Sequence, residues 1–282
     1  MGYERFIGSC VNGHLADLKI LAAILVSQIE EEPHVYTPRK ERGRRSVVSK
    51  GWRDRLQNYE WKPRNGSDGI GQARQIAADF EPVAQKIDAG LPLTDEDHEL
   101  LKSLARRTFE WGGVERGATK QNPTGDQIAA VIASALQWRH VNDAFMDSGW
   151  TKVAAFGTAW LEDADRTPQI IYDSRVAAGL IRNVEKAILT GGEGWSDKFK
   201  AYVQDQLRWV PGRDANRLRS LQLRWRSGYQ KWQPQFFGSL LVRLMRDALN
   251  AQPERYGLMP DQDGDRRWTM RGIEMVMFME GY

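Results

Sequence analysis

Apolar side chains recur every three to four positions along much of this chain, which is the spacing of amphipathic α-helices. In the clearest case the pattern runs from His14 to Glu31 and stops before Pro33. The same spacing predicts further helices at Gly71–Ala89, Thr94–Phe109, Gln127–Trp138, Trp195–Trp209, Phe236–Leu249 and Trp268–Phe278. No segment alternates convincingly between apolar and polar residues as a strand does, so we predict a mostly helical, all-α fold.

A turn and two helix starts lie in the middle of the chain. The helix that we expect to begin behind a capping Asp126 covers Gln127–Trp138. The chain then continues through Phe145 into a hairpin, with small, turn-prone residues at 147–149. Apolar residues and then a polar break lead on to Asp173, a residue type that accepts the unpaired N–H groups of a helix start. The pattern therefore places Lys152 and Asp173 near the beginnings of two helices, where an amine and a carboxylate can share one cleft.

Composition excludes several classes of protein. The chain has 282 residues, 41% of them apolar, and contains no apolar run long enough to cross a membrane. It begins without a secretory signal pattern, and its one cysteine, Cys10, allows neither an internal disulfide nor a cysteine cage for a metal. Its four histidines form no metal-binding pair on a helix face. We therefore expect a cytoplasmic protein without a metal or other cofactor.

Positive charge is concentrated in one region, although the net charge is only +3. Residues 39–64 contain ten Lys or Arg and three acidic residues, a surplus large enough to contact several phosphates. The basic residues are Arg39, Lys40, Arg42, Arg44, Arg45, Lys50, Arg53, Arg55, Lys62 and Arg64. This region is either a solvated arm or a segment laid along nucleic acid, with Arg44 and Arg45 as phosphate contacts. In the second case Trp52 and Trp61 can stack on bases.

Residues 148–154 read SGWTKVA, and residues 172–176 read YDSRV. These motifs resemble the hairpin G-[VI]-G-x-K-x-A and the following [VP]-D-x-[HR]-V of the helix-hairpin-helix DNA glycosylase superfamily, particularly its 8-oxoguanine glycosylase branch. By this resemblance Lys152 corresponds to the Schiff-base lysine of the family and Asp173 to its essential aspartate. The two glycines of the family hairpin are Ser148 and Trp150 here.

The resemblance implies chemistry at a sugar carbon. Asp173 would stabilise the positive charge that develops on the sugar when the glycosidic bond breaks. Either Lys152 attacks the sugar and forms a Schiff base, which permits strand cleavage, or Asp173 activates water and an abasic site is left. Both residues also have ordinary explanations, because an aspartate before a helix is commonly its cap and a lysine after a turn is commonly solvated.

A glycosylase must accept a base that has left the duplex, so it needs a stacking face, polar groups for the base edge and contacts to the backbone. For the base pocket we predict Trp111, Trp138, Trp150, Asn142 and Phe278, although each aromatic residue is also a natural core residue. For the DNA backbone we predict Ser148, Gly149, Thr151 and Arg175 beside Arg44 and Arg45.

The organisation that follows is a two-lobed helical bundle with a helix-hairpin-helix element. Residues 1–70 form an N-terminal helix and the basic arm, and residues 71–282 form a glycosylase-like core with the hairpin at about 136–180. The implied partner is double-stranded DNA with a modified base. Relatives of this kind include bacterial defence glycosylases that excise glucosylated hydroxymethylcytosine from phage DNA. The alternatives are a helical protein that binds DNA or RNA without catalysis and a helical protein whose Arg/Trp surface meets another protein.

Overall fold

The computed structural model describes residues 2–11, 13–36, 46–59, 61, 68–190, 194–212, 221–261 and 264–281. These residues form thirteen α-helices: α1 Gly2–Phe6, α2 Leu15–Glu31, α3 Gly51–Gln57, α4 Gly69–Asp88, α5 Asp95–Gly112, α6 Ala118–Gln121, α7 Gly125–Gln137, α8 Trp150–Thr158, α9 Ser174–Thr190, α10 Asp197–Gln206, α11 Trp232–Asn250, α12 Pro253–Tyr256 and α13 Met270–Glu280. The prediction of a mostly helical, all-α fold is confirmed. None of the helices in these ranges combines the length and apolar character needed to cross a bilayer.

Several helices begin where the local sequence predicts. Thr94 caps α5, and Asp97 completes a capping box by accepting a hydrogen bond from the Thr94 backbone N–H. Helix α9 begins directly after Asp173. These boundaries depend on residues within one turn of the helix end, which explains why the sequence pattern is sufficient to find them.

The predicted cap of α7 is wrong, whereas its predicted extent is close to the observed one. Thr124 caps this helix, with Gln127 completing the capping box, so Asp126 is not the cap. The helix ends at Gln137, one residue before the predicted end, because Trp138 adopts a left-handed conformation with φ 51°. Residues 138–149 form a loop that carries the chain to α8.

The sequence pattern does not predict the small antiparallel sheet formed by β1 (Pro33–Tyr36) and β2 (Val47–Lys50). Val35 pairs with Val48, and both valines are exposed, whereas Ser49 is buried. Because valines face outward and a serine faces the core, hydropathy does not report which face of each strand is buried.

The chain divides into two compact units, each assembled from separate parts of the sequence. Unit 1 comprises Met1–Asn12, Trp61–Asp173 and Tyr229–Ser239; unit 2 comprises Gly13–Glu60, Ser174–Gly228 and Leu240–Tyr282. Helix α11 contributes its first turns to unit 1 and its remainder to unit 2. The boundary predicted at residue 70 follows the change in charge along the chain, whereas the two units are defined by which residues pack together. The predicted boundary therefore stays a prediction.

In unit 1, helices α4, α5, α7 and α8 pack against one another. The buried aromatic side chains of these helices are Phe80, Phe109, Trp111, Trp150 and Phe156. Burial of such large apolar surfaces is the main stabilising contribution to a fold of this kind. Every residue of α8 is buried, so this helix carries Lys152 into the interior of the unit.

In unit 2, α13 packs against α9 and α3, and α2 packs against the same two helices. Helices α9 and α13 approach closely at Gly179, where a Cβ would overlap the carbonyl oxygen of Met277. The core includes Trp52 and Trp268, whose rings meet edge to face. The expectation that Trp52 stacks on nucleic acid is therefore wrong.

Candidate active site

Lys152 and Asp173, the two residues predicted to share a cleft, meet in unit 1. Lys152 Nζ lies 3.3 Å from Asp173 Oδ2 and donates a second hydrogen bond, of 2.7 Å, to the backbone carbonyl of Ser148. The lysine side chain is 4% exposed and the aspartate side chain 16%. A partly buried pair interacts more strongly than a surface pair because less solvent screens it. The carboxylate is the more accessible member of this pair.

The aliphatic stem of Lys152 lies against Gly112 at the end of α5. A Cβ at position 112 would come within 2.7 Å of Lys152 Cδ and 2.8 Å of Cε. A larger residue at this position would have to displace the lysine stem. Glycine at 112 is therefore one of the means by which unit 1 accommodates a buried amine.

The extended segment that leads to Asp173 is held by side chains and not by a neighbouring strand. The Thr151 hydroxyl accepts a 2.6 Å hydrogen bond from the backbone N–H of Tyr172. This bond joins the residue that precedes Lys152 to the residue that precedes Asp173. The same hydroxyl donates a 2.6 Å hydrogen bond to Gln235 Oε1.

Further polar side chains extend this buried network along the segment. Gln235 Nε2 donates a 2.8 Å hydrogen bond to the carbonyl of Ile170, and Ser239 Oγ accepts one of 3.1 Å from the Ile170 N–H. Ser239 also donates to Gln169 Oε1 at 2.9 Å, and the Gln169 N–H donates to Thr158 Oγ1 at 2.9 Å. A buried network with its members hydrogen-bonded makes the surrounding structure rigid, so it fixes the approach of Asp173 to α8.

A second buried ion pair lies at the turn that precedes α8. Asp147 Oδ1 accepts hydrogen bonds from the N–H groups of Gly149 (2.7 Å) and Trp150 (3.1 Å), and its Oδ2 lies 2.8 Å from Lys120 Nζ. The sequence pattern did not identify Lys120 as the partner of Asp147, because 27 positions separate the two residues. The role of Asp147 was open to prediction, since Asp commonly accepts hydrogen bonds from backbone N–H groups two or three residues further on.

Two N–H groups of the turn are not available to a phosphate. The N–H groups of Gly149 and Trp150 already donate to Asp147, and a carboxylate in this place repels a phosphate. Gly149 is itself buried, and its contact with the DNA backbone stays a prediction. The Thr151 side chain is fully buried and its hydroxyl is hydrogen-bonded within the polar network, and its contact with DNA also stays a prediction. Ser148 is partly exposed, and its contact with DNA stays a prediction.

The three tryptophans predicted for the base pocket are core residues of unit 1. Trp150 is fully buried and donates from Nε1 to Thr119 Oγ1 at 3.1 Å. Trp111 donates from Nε1 to the carbonyl of Gly69 at 2.8 Å, and Trp138 packs among three aromatic rings. Because all three are buried, they present no open ring face to an extruded base in this conformation.

The remaining predicted site residues lie elsewhere. Phe278 and Arg175 belong to unit 2, where the guanidinium of Arg175 lies 4.6 Å from the centre of the Phe278 ring. Asn142 is exposed in the loop that precedes the turn, with a left-handed φ of 50°. Arg44 and Arg45 lie outside the described residues.

Tyr229 is a further side chain beside the turn in unit 1, and the sequence pattern did not single it out. Burial and the negative charge of Asp147 raise the pKa of its hydroxyl above the ordinary value, while a hydrogen bond with Ser148 acts in the opposite direction. Tyr229 is therefore protonated at neutral pH and can donate a hydrogen bond. The structure thus adds Lys120, Asp147 and Tyr229 to the surroundings of the predicted pair.

Within the part of the chain that the structure describes, no three His, Cys, Asp or Glu side chains are grouped as a metal site requires. Comparison with protein-family models, with curated proteins and with solved structures finds no match to this chain. The functional argument therefore depends on the geometry and chemistry of the side chains around Lys152 and Asp173.

Proposed function

We propose that this protein is a DNA glycosylase that cleaves the N-glycosidic bond of a modified base extruded from a duplex. The observation that carries the proposal is the contact between Lys152 and Asp173 at 3.3 Å, although 21 positions separate them in the sequence. This contact supports the resemblance of residues 148–154 and 172–176 to the glycosylase motifs, because those motifs predict that both side chains act on one sugar.

Asp173 is the catalytic carboxylate in this proposal. Its side chain is the more exposed member of the pair, so it is the group that a substrate reaches first. Breaking the glycosidic bond builds positive charge on the sugar, and a carboxylate held in place stabilises that charge as it develops. The same carboxylate can accept a proton from the attacking water.

Lys152 has one of two roles. In the hydrolytic route it holds Asp173 through a charge-assisted hydrogen bond and does not itself react. In the lyase route its neutral amine attacks the sugar carbon and the base leaves, and Asp173 Oδ2 lies within reach as the proton acceptor. The first route leaves an abasic site, and the second leaves a covalent Schiff base.

The substitution Asp173→Asn tests the proposal. The purified protein is incubated with duplexes that carry 8-oxoguanine or glucosylated hydroxymethylcytosine and with genomic DNA, and released bases are identified by mass spectrometry. We expect Asp173→Asn to slow base release at least about 100-fold, because it removes the charge and the proton acceptor. DNA affinity should stay the same or rise.

Asp143→Asn is the matched control, because Asp143 is an exposed aspartate in the loop before the turn. This variant should release base at the rate of the unsubstituted protein. Base release by Asp173→Asn at an undiminished rate, or no base release by the unsubstituted protein from any of these DNAs, would contradict the proposal.

Borohydride reduction during the reaction distinguishes the two roles of Lys152. The lyase route predicts a covalent protein–DNA adduct that disappears in Lys152→Met. The hydrolytic route, which the low exposure of Lys152 favours, predicts base release without an adduct.

A non-catalytic nucleic-acid-binding protein is the second candidate. It is favoured by the enclosure of Lys152, whose amine is hydrogen-bonded to the Ser148 carbonyl as well as to Asp173, an arrangement that also suits a structural ion pair. This candidate predicts salt-dependent DNA binding without release of any base, so the mass-spectrometric experiment separates the two.

A further inference from the structure

We infer that residues 221–226, called the arginine segment below, form a surface of unit 2 that binds the phosphate backbone of a nucleic acid. The segment reads LQLRWR, and its side chains alternate between partly buried and exposed. Gln222, Arg224 and Arg226 are the exposed members. The choice of duplex DNA as the ligand rests on the proposed function, whereas recognition of phosphate rests on the segment itself.

A buried carboxylate anchors the inner side of the arginine segment. Glu185 of α9 accepts hydrogen bonds from the backbone N–H of Gln222 (2.7 Å), the backbone N–H of Leu223 (2.9 Å) and the indole Nε1 of Trp225 (2.9 Å). Glu185 is buried and makes no ion pair with any described residue, so these three donors compensate its charge. A loop that only spans solvent would not need such an anchor.

The end of the arginine segment is fixed by a second set of hydrogen bonds. The N–H of Trp209 donates to the carbonyl of Arg226 at 3.1 Å, and the N–H of Gly228 donates to the carbonyl of Trp209 at 2.6 Å. Trp209 and Ser227 thereby form a short parallel bridge. The backbone that carries Arg224 and Arg226 is therefore held at both ends, and less conformational freedom is lost when these side chains bind a ligand.

The guanidinium groups of Arg224 and Arg226 make no ion pair with any residue that the structure describes. By contrast, two other exposed arginines of unit 2 are ion-paired: Arg255 with Glu31 and Arg266 with Asp261.

The sequence around the arginine segment is also strongly basic. Residues 208–226 contain six arginines and one acidic residue, Asp214. Three of these arginines, Arg213, Arg217 and Arg219, lie outside the described residues. The segment therefore belongs to a region of positive charge that its own acidic residues do not neutralise.

This arrangement fits phosphodiesters and not base edges. A guanidinium group presents a planar fork of N–H donors that matches phosphate oxygens. The indole N–H of Trp225 is already used in the anchor, so that ring holds the segment in place. Contacts to phosphate alone carry no sequence information, and we therefore expect binding at this surface to be independent of DNA sequence.

The double substitution Arg224→Gln/Arg226→Gln tests the inference. Binding of a fluorescent, unmodified duplex to the full chain is measured by anisotropy over a series of salt concentrations. We expect the variant to bind at least about tenfold more weakly at low salt, and the slope of log K against log salt to fall in magnitude by about 2, since each phosphate contact contributes about 0.9. Duplexes of different sequence should be affected equally.

The matched control is Arg255→Gln/Arg266→Gln, which removes the same number of charges from exposed but ion-paired arginines of the same unit. This control should change the affinity less than threefold, as an order-of-magnitude limit, and leave the slope unchanged. Equal losses in the two double variants would overturn the inference, because net charge and not the arginine segment would then explain binding. Absence of salt-dependent binding by the unsubstituted protein would also overturn it.

Glu185→Gln tests the anchor separately. This variant should accelerate hydrogen exchange at residues 222–225 and weaken DNA binding, although it leaves every arginine in place. Unchanged exchange together with unchanged affinity would overturn the role given to Glu185.

Failure of this inference can be distinguished from failure of the proposed glycosylase function. Loss of affinity in Arg224→Gln/Arg226→Gln, in a protein that releases no base, supports this surface and contradicts the glycosylase. Base release by a protein whose DNA affinity does not depend on these arginines supports the glycosylase and overturns the inference about this surface.

Discussion

Ion pairs lie in the interior of both units, and the Arg55–Glu280 pair of unit 2 is more completely enclosed than the Lys152–Asp173 pair of unit 1. In unit 2 the side chains of Arg55 and Glu280 are 2% and 7% exposed, and Arg55 donates further hydrogen bonds to two backbone carbonyls. In unit 1 the carboxylate of Asp173 keeps more than twice the exposure of Glu280 beside its partner Lys152. A fully enclosed pair can only support the fold, whereas a carboxylate that solvent reaches can also meet a substrate.

The same comparison corrects the prediction for the basic arm. Arg55 is one of the ten basic residues between positions 39 and 64, which were considered as phosphate contacts. Its donors are directed at Glu280 and at the carbonyls of Gly51 and Glu32. The guanidinium of Arg55 therefore makes contacts inside the fold, and the prediction that it contacts phosphate is wrong.

The largest effect is expected from breaking the enclosed pair. Arg55→Met leaves the Glu280 carboxylate buried without its cation, which should lower the free energy of unfolding by about 3–5 kcal/mol. Lys152→Met should lower the free energy of unfolding by less, about 1–3 kcal/mol, because water can reach the partly exposed Asp173 carboxylate and hydrogen-bond to it. Urea unfolding followed by circular dichroism measures both values. Equal losses would show that the two pairs are enclosed to the same degree and would remove the distinction drawn above.

The polar network around Thr151 provides a second test, with an intermediate effect. Thr151→Val keeps the shape of the side chain but leaves the Tyr172 backbone N–H and the side-chain Oε1 of Gln235 without this partner, which should lower the free energy of unfolding by about 2–3 kcal/mol. Base release should also slow, because Tyr172 directly precedes Asp173. Thr108→Val is the control, since its hydroxyl donates only to the Leu104 carbonyl within α5. A Thr151→Val protein with full stability and full activity would contradict a positioning role for the network.

The smallest effect concerns pH and the enclosed pair of unit 2. Burial lowers the pKa of His34; Glu280 opposes this, and Arg55 and Arg182 reinforce it, so that the net shift is downward. As pH falls below the ordinary value of 6.5, the unfolded chain therefore takes up a proton before the folded chain does. Stability should fall in this range by at most about 1.4 kcal/mol per pH unit.

The substitution His34→Gln should remove this pH dependence while leaving the other three histidines in place. Glu280 acts in a lower pH range. Burial works to raise the pKa of its carboxyl, but His34, Arg55 and Asn183 hold it below the ordinary value. Its stabilisation is therefore present above the ordinary pKa and lost as pH falls through the folded value. Urea unfolding of both proteins at several pH values measures the difference. Identical profiles would contradict the assignment to His34.

Local sequence alone predicted the long helices and the two residues of the candidate pair. Periodic apolar positions and capping residues act within a few positions along the chain, and this is why the starts of α5 and α9 agree with expectation. The placement of Lys152 and Asp173 near two helix starts followed from the same local signals. Their contact did not follow from these signals, because it needs the segment before Asp173 to be held against α8.

Tertiary structure alone decided which of the predicted site residues are accessible. The N–H groups of Gly149 and Trp150 are occupied because the Asp147 side chain accepts from both. The Trp150 ring is buried against Phe109 of α5 and Phe145 of the loop that precedes α8. Partners such as Glu185 with Trp225, or Arg55 with Glu280, lie 40 and 225 positions apart. The sequence determines what each side chain can do chemically. Only packing between distant segments determines whether that side chain is exposed to solvent or is buried and hydrogen-bonded inside the fold.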